Sequence, residues 1–256
     1  MTQPDMPTPP WERPPRRRTP TRVPLTRERI VDAAYTVLDR EGYDRLSMRQ
    51  VAAELGVAVS ALYVHVRDKD ELLQLMYNRT FEGYEVPDPD PERWQEQVMD
   101  FARQARERLL SHRDMAKITM IHVPFTPELL PYVERLLAVF SAAGLPREVL
   151  AMAGDMLSTY INGFALEESL WQQRYRETHG SWDKLRDEVN GYFASLPPDR
   201  FPNLVKLADI MMDESNDYRF DLGVEIILRG LASYIGEPDP DEEGKEAEEA
   251  EEAEET

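Results

Sequence analysis

Between Ser47 and Leu73 the chain reads SMRQVAAELGVAVSALYVHVRDKDELL. Gly56 divides this stretch into two pieces, each too short to be a stable helix alone. The residue at that point must turn the chain sharply, and glycine takes a positive φ without steric cost. Before it, Ser47 and Gln50 match a capping box, in which a serine hydroxyl and a glutamine three residues on satisfy free amides at a helix start. Val51, Ala52 and Leu55 then supply one apolar face. After it, a helix is expected over roughly 58–65, held to the core by Leu62 and Val66, with Tyr63 and His65 outward. Asp68 to Glu71 cap another helix, whose apolar face is Leu72, Leu73, Met76 and Tyr77. Short helix, glycine turn, short helix is the helix-turn-helix pattern, and few other folds accept it.

That pattern fixes what the side chains can do. In a helix-turn-helix the second helix lies in the major groove and its first residues meet base edges. Small residues at its start, here Ala58 to Ala61, permit close approach. Tyr63 and His65 on the outer side reach phosphates or bases. Lys69, at the start of the next helix, can share one phosphate with free backbone amides. Upstream, Thr26 is a candidate N-cap, and Ile30, Ala34, Val37 and Leu38 form the face of a leading helix that Gly42 ends. Read structurally instead, Tyr63 is a core aromatic and Arg49 a solvated helix residue.

At this point a resemblance becomes specific. RERIVDAAYTVLDREGYDRLSM, then RQVAAELGV, then ALYVHVRDKDELL resemble the DNA-binding domain of the tetracycline-repressor (TetR) family, the most particular mark being Tyr63, His65, Lys69 and Leu72. The resemblance implies that Ser47, Tyr63 and Lys69 contact phosphates. It implies that Arg49 points toward a base, guanine offering the two acceptors an arginine grips. Val59, Ser60 and Ala61 would read bases or thymine methyls, with His65 beside them.

The composition shifts at EVPDPDPERW, where prolines and acids break the helix pattern. The expected organisation is a Pro/Arg-rich disordered arm over 1–24, the DNA-binding domain over 25–84, a linker over 85–93, a helical domain over 94–236 and a disordered acidic tail over 237–256. The fold class is all-α: an N-terminal three-helix helix-turn-helix domain and a C-terminal helical ligand-binding and dimerisation domain. In the rear part, Trp94, Val98, Phe101, Ala105 and Leu109 share one helix face. A helix is expected over 129–142, a long apolar one from Arg147 to about Arg174, and a last one over 217–235. The last two are apolar on much of their circumference, which suits either a subunit interface of four helices or a monomer core.

The rear segments HRDMAKITMIHVPFTP, YINGFALEES and FDLGVEIILRGL resemble the C-terminal domain of the tetracycline-repressor subgroup. This implies a homodimer with a small-molecule pocket between helices. Candidate pocket residues are Met99, Met115, Thr119, His122, Tyr160, Phe164, Glu167 and Trp171, a set of adaptable apolar walls with a few polar groups. Taken singly, a methionine or aromatic at helical spacing is more often a core residue, and His122 beside Pro124 also reads as a loop residue with a satisfied hydrogen bond. The subgroup's magnesium-ligating histidine falls at Thr119 here, while Glu167 aligns with an acidic residue of the drug site. The magnesium–tetracycline site is therefore not reproduced, and neither a metal nor a cofactor is expected.

Charge is divided between the ends. Residues 237–256 hold twelve acids and one lysine, whereas residues 1–30 hold seven arginines and three acids. A basic front suits a polyanion; an acidic rear does not. Cysteine is absent, so disulfides and thiolate chemistry are excluded. His65, His112, His122 and His179 have no ligand spacing, and no phosphate-binding glycine loop appears, so an enzyme is not expected. The first residues lack the apolar core of a signal peptide and no run approaches about 18 apolar residues. The chain is expected to be soluble and cytoplasmic, with no membrane partner. Its expected partners are double-stranded operator DNA, a small-molecule effector of unknown identity and a second copy of itself. The expected function is a sequence-specific transcriptional regulator, most simply a dimeric repressor released from a palindromic operator by that effector. The competing reading is a protein-interaction module with a vestigial helix-turn-helix.

Overall fold

A computed structural model describes residues 24–85, 87–122, 126–178, 182–213 and 215–236. The basic arm through residue 23, the acidic tail and His179 lie outside the described residues. The described secondary structure is helical: α1 (Arg27–Glu41), α2 (Met48–Leu55), α3 (Val59–Leu62), α4 (Lys69–Thr80), α5 (Trp94–Leu110), α6 (Met115–Ile121), α7 (Leu130–Ala142), α8 (Arg147–Thr178), α9 (Trp182–Ala194), α10 (Pro202–Asp213) and α11 (Asn216–Ala232). Among the described residues no helix is long and apolar enough to cross a membrane.

Local chemistry sets the front elements. Thr26 accepts the Arg29 amide at 3.3 Å, Ser47 accepts the Gln50 amide at 3.4 Å and Asp68 accepts the Glu71 amide at 2.8 Å, so all three expected caps form. Gln50 closes its capping box differently from expectation: its Oε1 accepts the Ser47 hydroxyl at 3.2 Å. Gly56 adopts φ 65°, ψ 34°, the left-handed conformation the turn requires. The expected helix over 58–65 is shorter. Only Val59–Leu62 is α-helical, and Tyr63 to His65 follow as a turn in which the amides of His65 and Val66 both reach the Leu62 carbonyl. Ile30, Ala34, Val37, Leu38, Val51, Leu62, Val66 and Leu72 are buried in one front core. Leu62 is the fully buried residue of α3, so Leu62→Ala is expected to cost roughly 2–5 kcal/mol. Urea denaturation followed by helical circular dichroism checks this.

The rear core is built on α8. Helix α5 packs along it, α7 and α6 lie against it, and α11 crosses both α8 and α5. On α5, Trp94, Val98, Ala105 and Leu109 are buried as expected, but Ala102 rather than Phe101 completes the face. Tyr160 of α8 stacks on Phe220 of α11 with centroids 5.6 Å apart, and Phe164 meets Phe220 edge-on at 5.2 Å. A Cβ added at Gly223 would stand 2.0 Å from the Tyr160 hydroxyl, which is how α8 and α11 cross so closely. Helices α9 and α10 pack chiefly on each other.

Arg106 of α5 lies between these helices, 11% exposed. It is 2.8 Å from Glu168 of α8, itself 10% exposed, and 2.8 Å from Asp217 of α11. Its guanidinium also sits 5.0 Å from the Phe220 ring centroid. Removing one member of a buried pair strands the other charge. Arg106→Met is therefore expected to lower stability by about 3 kcal/mol at neutral pH, measured by the same denaturation. A change under about 0.5 kcal/mol would refute the role assigned to this pair.

Candidate nucleic-acid interface and ligand cavity

Helices α2 and α3 and the start of α4 form one outward surface. Arg49 is exposed on α2 beside the capping Ser47, which is half-buried. On α3, Ser60 is exposed, Ala61 is half-buried, and Val59 is half-buried against the front core. Tyr63 is 53% exposed, so its ring does not belong to the core. His65 is half-buried, and its carbonyl accepts Arg27 Nε at 2.8 Å. Lys69 opens α4 with its Nζ 4.9 Å above the Tyr43 ring. Val64, passed over in the sequence, is the most exposed large apolar residue of the described chain at 80%. The pattern points to it only in retrospect: an apolar residue one position off a buried face, in a segment that stops being helix.

Contacts from the segment before α6 tie α1 and the turn after it to the rear helices. Asp114 precedes α6 and is buried with φ 57°; its carboxylate accepts the Tyr43 amide at 2.9 Å. His112 stacks on Tyr35 of α1, centroids 4.1 Å apart, and its Nδ1 lies 2.9 Å from Asp39. Met115 and Ile118 of α6 belong to the front core. Helix α6 is thus shared by both parts of the molecule.

Behind α6 lies a cavity of about 550 Å³. Its aromatic walls are Tyr77, Phe81, Tyr84, Phe101 and Tyr132, with α7 and the first half of α8 completing it. Tyr84 donates to the Phe101 carbonyl at 2.8 Å. Burial pushes the Tyr77 phenol up to about 12 and raises that of Tyr84 further, so both stay protonated at neutral pH. The polar side is Thr119, His122, Asp155, Ser158, Thr159 and Asn162. Thr119 Oγ1 is held by the Ala116 carbonyl at 3.0 Å and approaches Asn162 Oδ1 at 3.3 Å.

Of the candidates named from sequence, Thr119 and His122 line this cavity and the other six do not. Met115 is fully buried in the front core. Met99, Tyr160 and Phe164 pack into the rear core. Glu167 is exposed 3.5 Å from Arg219, and Trp171 lies on the outer part of α8. None of the five wall aromatics is a pocket candidate from sequence; Tyr77 and Phe101 read there only as members of apolar helix faces. The five come from four separate segments and only the fold brings them together.

Comparison with known proteins places this geometry among others. Residues 30–76 match the family model described as bacterial regulatory proteins, tetR family, and residues 86–235 match that of the tetracyclin repressor-like C-terminal domain. A Saccharopolyspora erythraea HTH-type transcriptional regulator is 29% identical over 228 residues, covering 88% of this chain and 92% of that protein. The HTH-type transcriptional repressor DrrR1 of Streptomyces coeruleorubidus is 31% identical over 86% of this chain and 83% of its own length. Among solved structures, the Streptomyces coelicolor TetR family protein ActR in complex with actinorhodin superposes with a TM-score of 0.75. It is 43% identical and covers 84% of this chain and all of its own.

Proposed function

We infer function from one premise: the chain belongs to the tetR family of bacterial regulatory proteins. It is a sequence-specific DNA-binding regulator of transcription. Our reading of its mechanism is that two copies bind a near-palindromic operator as a repressor, and that a small molecule in the cavity behind α6 releases them. The observation that carries this is the placement of α6. One helix supplies Met115 and Ile118 to the core under the reading surface and Thr119 to the wall of the cavity. A ligand favouring a displaced α6 would act on DNA affinity through its differential affinity for the two states. We read the protein as acting by binding and not by catalysis, in the cytoplasm where its operator lies.

The homodimer is supported by faces left uncovered in one chain. Met152, Met156 and Leu170 on α8, with Tyr218, Leu222 and Ile226 on α11, recur at helical spacing and are 41–62% exposed. Gly163 lies on the same α8 stripe with nothing within 4 Å of where a Cβ would be. Inside one chain it has no packing reason, and a crossing partner helix supplies one. For DNA contact, Ser47, Tyr63 and Lys69 are read as phosphate contacts, Arg49, Val59, Ser60 and Ala61 as base contacts, with His65 alongside. Lys69→Ala is expected to weaken binding about equally for all sequences and to lower the slope of log affinity against log salt by about one per chain. Titrations at four salt concentrations measure it.

The ligand class follows from the walls: a flat, multi-ring aromatic compound that stacks on tyrosine and phenylalanine faces. The deciding experiment is enrichment of random duplexes by the full chain, read by sequencing, followed by titration of the enriched duplex with actinorhodin, which ActR binds. A palindromic motif, and its release by the compound, is the expected result. No motif at moderate salt would overturn the reading.

A further inference from the structure

Among the described residues, the hydroxyl-bearing side chains that line the cavity are Tyr77, Tyr84, Thr119, Tyr132, Ser158 and Thr159. A hydroxyl has one proton to give. Tyr84 gives its proton to the Phe101 carbonyl at 2.8 Å, Thr119 to the Ala116 carbonyl at 3.0 Å and Ser158 to the Asp155 carbonyl at 3.0 Å. Thr159 is exposed and Tyr132 half-buried, so water can serve both. Tyr77 of α4 differs from all of these. It is 6% exposed, and burial alone acts on its phenol; no hydrogen bond and no charge does. Nor is the hydroxyl sealed in the core. The fully buried side-chain nitrogens and oxygens without a partner among the described residues belong to Arg113, Asp114, His122 and Asn190, and the Tyr77 oxygen is not one of them. The oxygen thus has no protein partner, keeps accessible surface and sits on a residue that lines the cavity, so it opens onto the cavity. Phe81, one turn further along α4, meets the Tyr77 ring edge-on with centroids 5.5 Å apart and fixes its direction. Burial keeps the phenol protonated at neutral pH, which leaves a fixed donor with an unspent proton.

We propose that the Tyr77 hydroxyl is the specificity-determining anchor of the cavity, and that it selects a ligand carrying a neutral ketone or quinone oxygen on its ring system, to which it donates. This rests on reading the cavity as the effector site and names a group that the effector carries. A hydrocarbon edge at this point would shut out water and leave the phenol proton unpaired, which is how a buried donor rejects an analogue that lacks the acceptor. An anionic acceptor such as a carboxylate or phenolate is disfavoured by charge. No lysine or arginine is among the described lining residues, and Asp155 adds a negative group to the wall. An anion brought in here would be buried without a cation. The flat rings of the ligand stack on the aromatic walls, and the Tyr77 bond sets which edge of those rings points toward α4.

The test uses fluorenone and fluorene, which share one ring system and differ by the ketone oxygen. Equilibrium dialysis against the full chain gives both affinities, and infrared difference spectra of isotope-labelled fluorenone read the bound carbonyl. Tyr77→Phe keeps the ring and loses the proton. It is expected to bind fluorenone roughly ten- to a hundredfold more weakly than the native protein does, and fluorene equally well. The carbonyl stretch of bound fluorenone is expected at lower frequency in the native protein than in the variant, the mark of an accepted hydrogen bond. The free variant is expected to unfold at no lower temperature than the native protein, because the hydroxyl has no partner to lose. Unchanged fluorenone affinity in the variant, with the carbonyl stretch unmoved, overturns the anchor and leaves the cavity reading intact. Equal weakening of both compounds together with earlier unfolding also overturns it, by assigning the hydroxyl to the fold. If the native protein binds neither compound, the cavity reading falls and the anchor with it.

Discussion

Replacing Leu222 and Ile226 by glutamate is expected to turn the proposed dimer into monomers at micromolar concentration and to abolish high-affinity operator binding. Both residues are exposed within one chain, at 41% and 62%, so neither substitution disturbs its fold and the circular dichroism should not change. In the dimer their burial contributes about 1.5–3 kcal/mol each. Two-fold symmetry would also set the new carboxylates of one α11 against those of its partner, a juxtaposition that costs several kcal/mol. Together these raise the dimer dissociation constant by at least about a thousandfold. Sedimentation velocity reads the oligomer and fluorescence anisotropy on a full-length operator reads the binding. A variant that stays dimeric would place the interface elsewhere than on α8 and α11.

The second large effect concerns the reading surface. Arg49→Ala with Tyr63→Ala is expected to remove the enriched motif while leaving weak, salt-sensitive binding to any duplex. A bidentate arginine–guanine pair contributes about 1–3 kcal/mol of discrimination, and each dimer holds two. Losing both proposed pairs, with the two phosphate contacts proposed for Tyr63, is expected to weaken operator binding by roughly a hundred- to ten-thousandfold. Neither side chain supports the core: Arg49 is exposed and Tyr63 more than half so. A variant that keeps the motif would show that other residues read the bases, and Val64 and Ser60 would be tested next.

How much of this was legible beforehand differs between the two halves, for a physical reason. The front half is governed by short-range chemistry. Thr26, Ser47 and Asp68 cap helices through atoms three residues away, and Gly56 turns the chain by its own φ. Such signals stand in a few consecutive letters. Helical periodicity likewise marked Ile30, Leu38, Leu62 and Leu72 as inward. What it could not convey is whether the space beside an apolar face is filled. Tyr160 and Phe164 read as pocket walls, but Phe220, some sixty residues downstream, occupies that side. The cavity lies about a turn earlier on α8, at Ala151 to Asn162, where small and polar residues carry no pocket signal. Thr119 and His122 were singled out through the resemblance and not through their spacing. The length of α3 was overestimated because Tyr63 and Val64 continue an apolar pattern that the backbone abandons at Leu62.

That four-residue α3 has a consequence for how the genome is searched. So short a reader brings only a few side chains to base edges, enough for about four base pairs. A given four-pair word recurs by chance about once in 256 pairs, so one half of the protein, acting alone, has thousands of acceptable addresses. Two such words at a fixed separation recur about once in 65,000. Nearly all the selectivity therefore resides in the distance between the two readers. A change of one step along the duplex, about 3.4 Å, returns the odds to those of a single word. On the mechanism proposed above, an effector need not spoil either reader to silence the protein; it has only to miscount the gap between them.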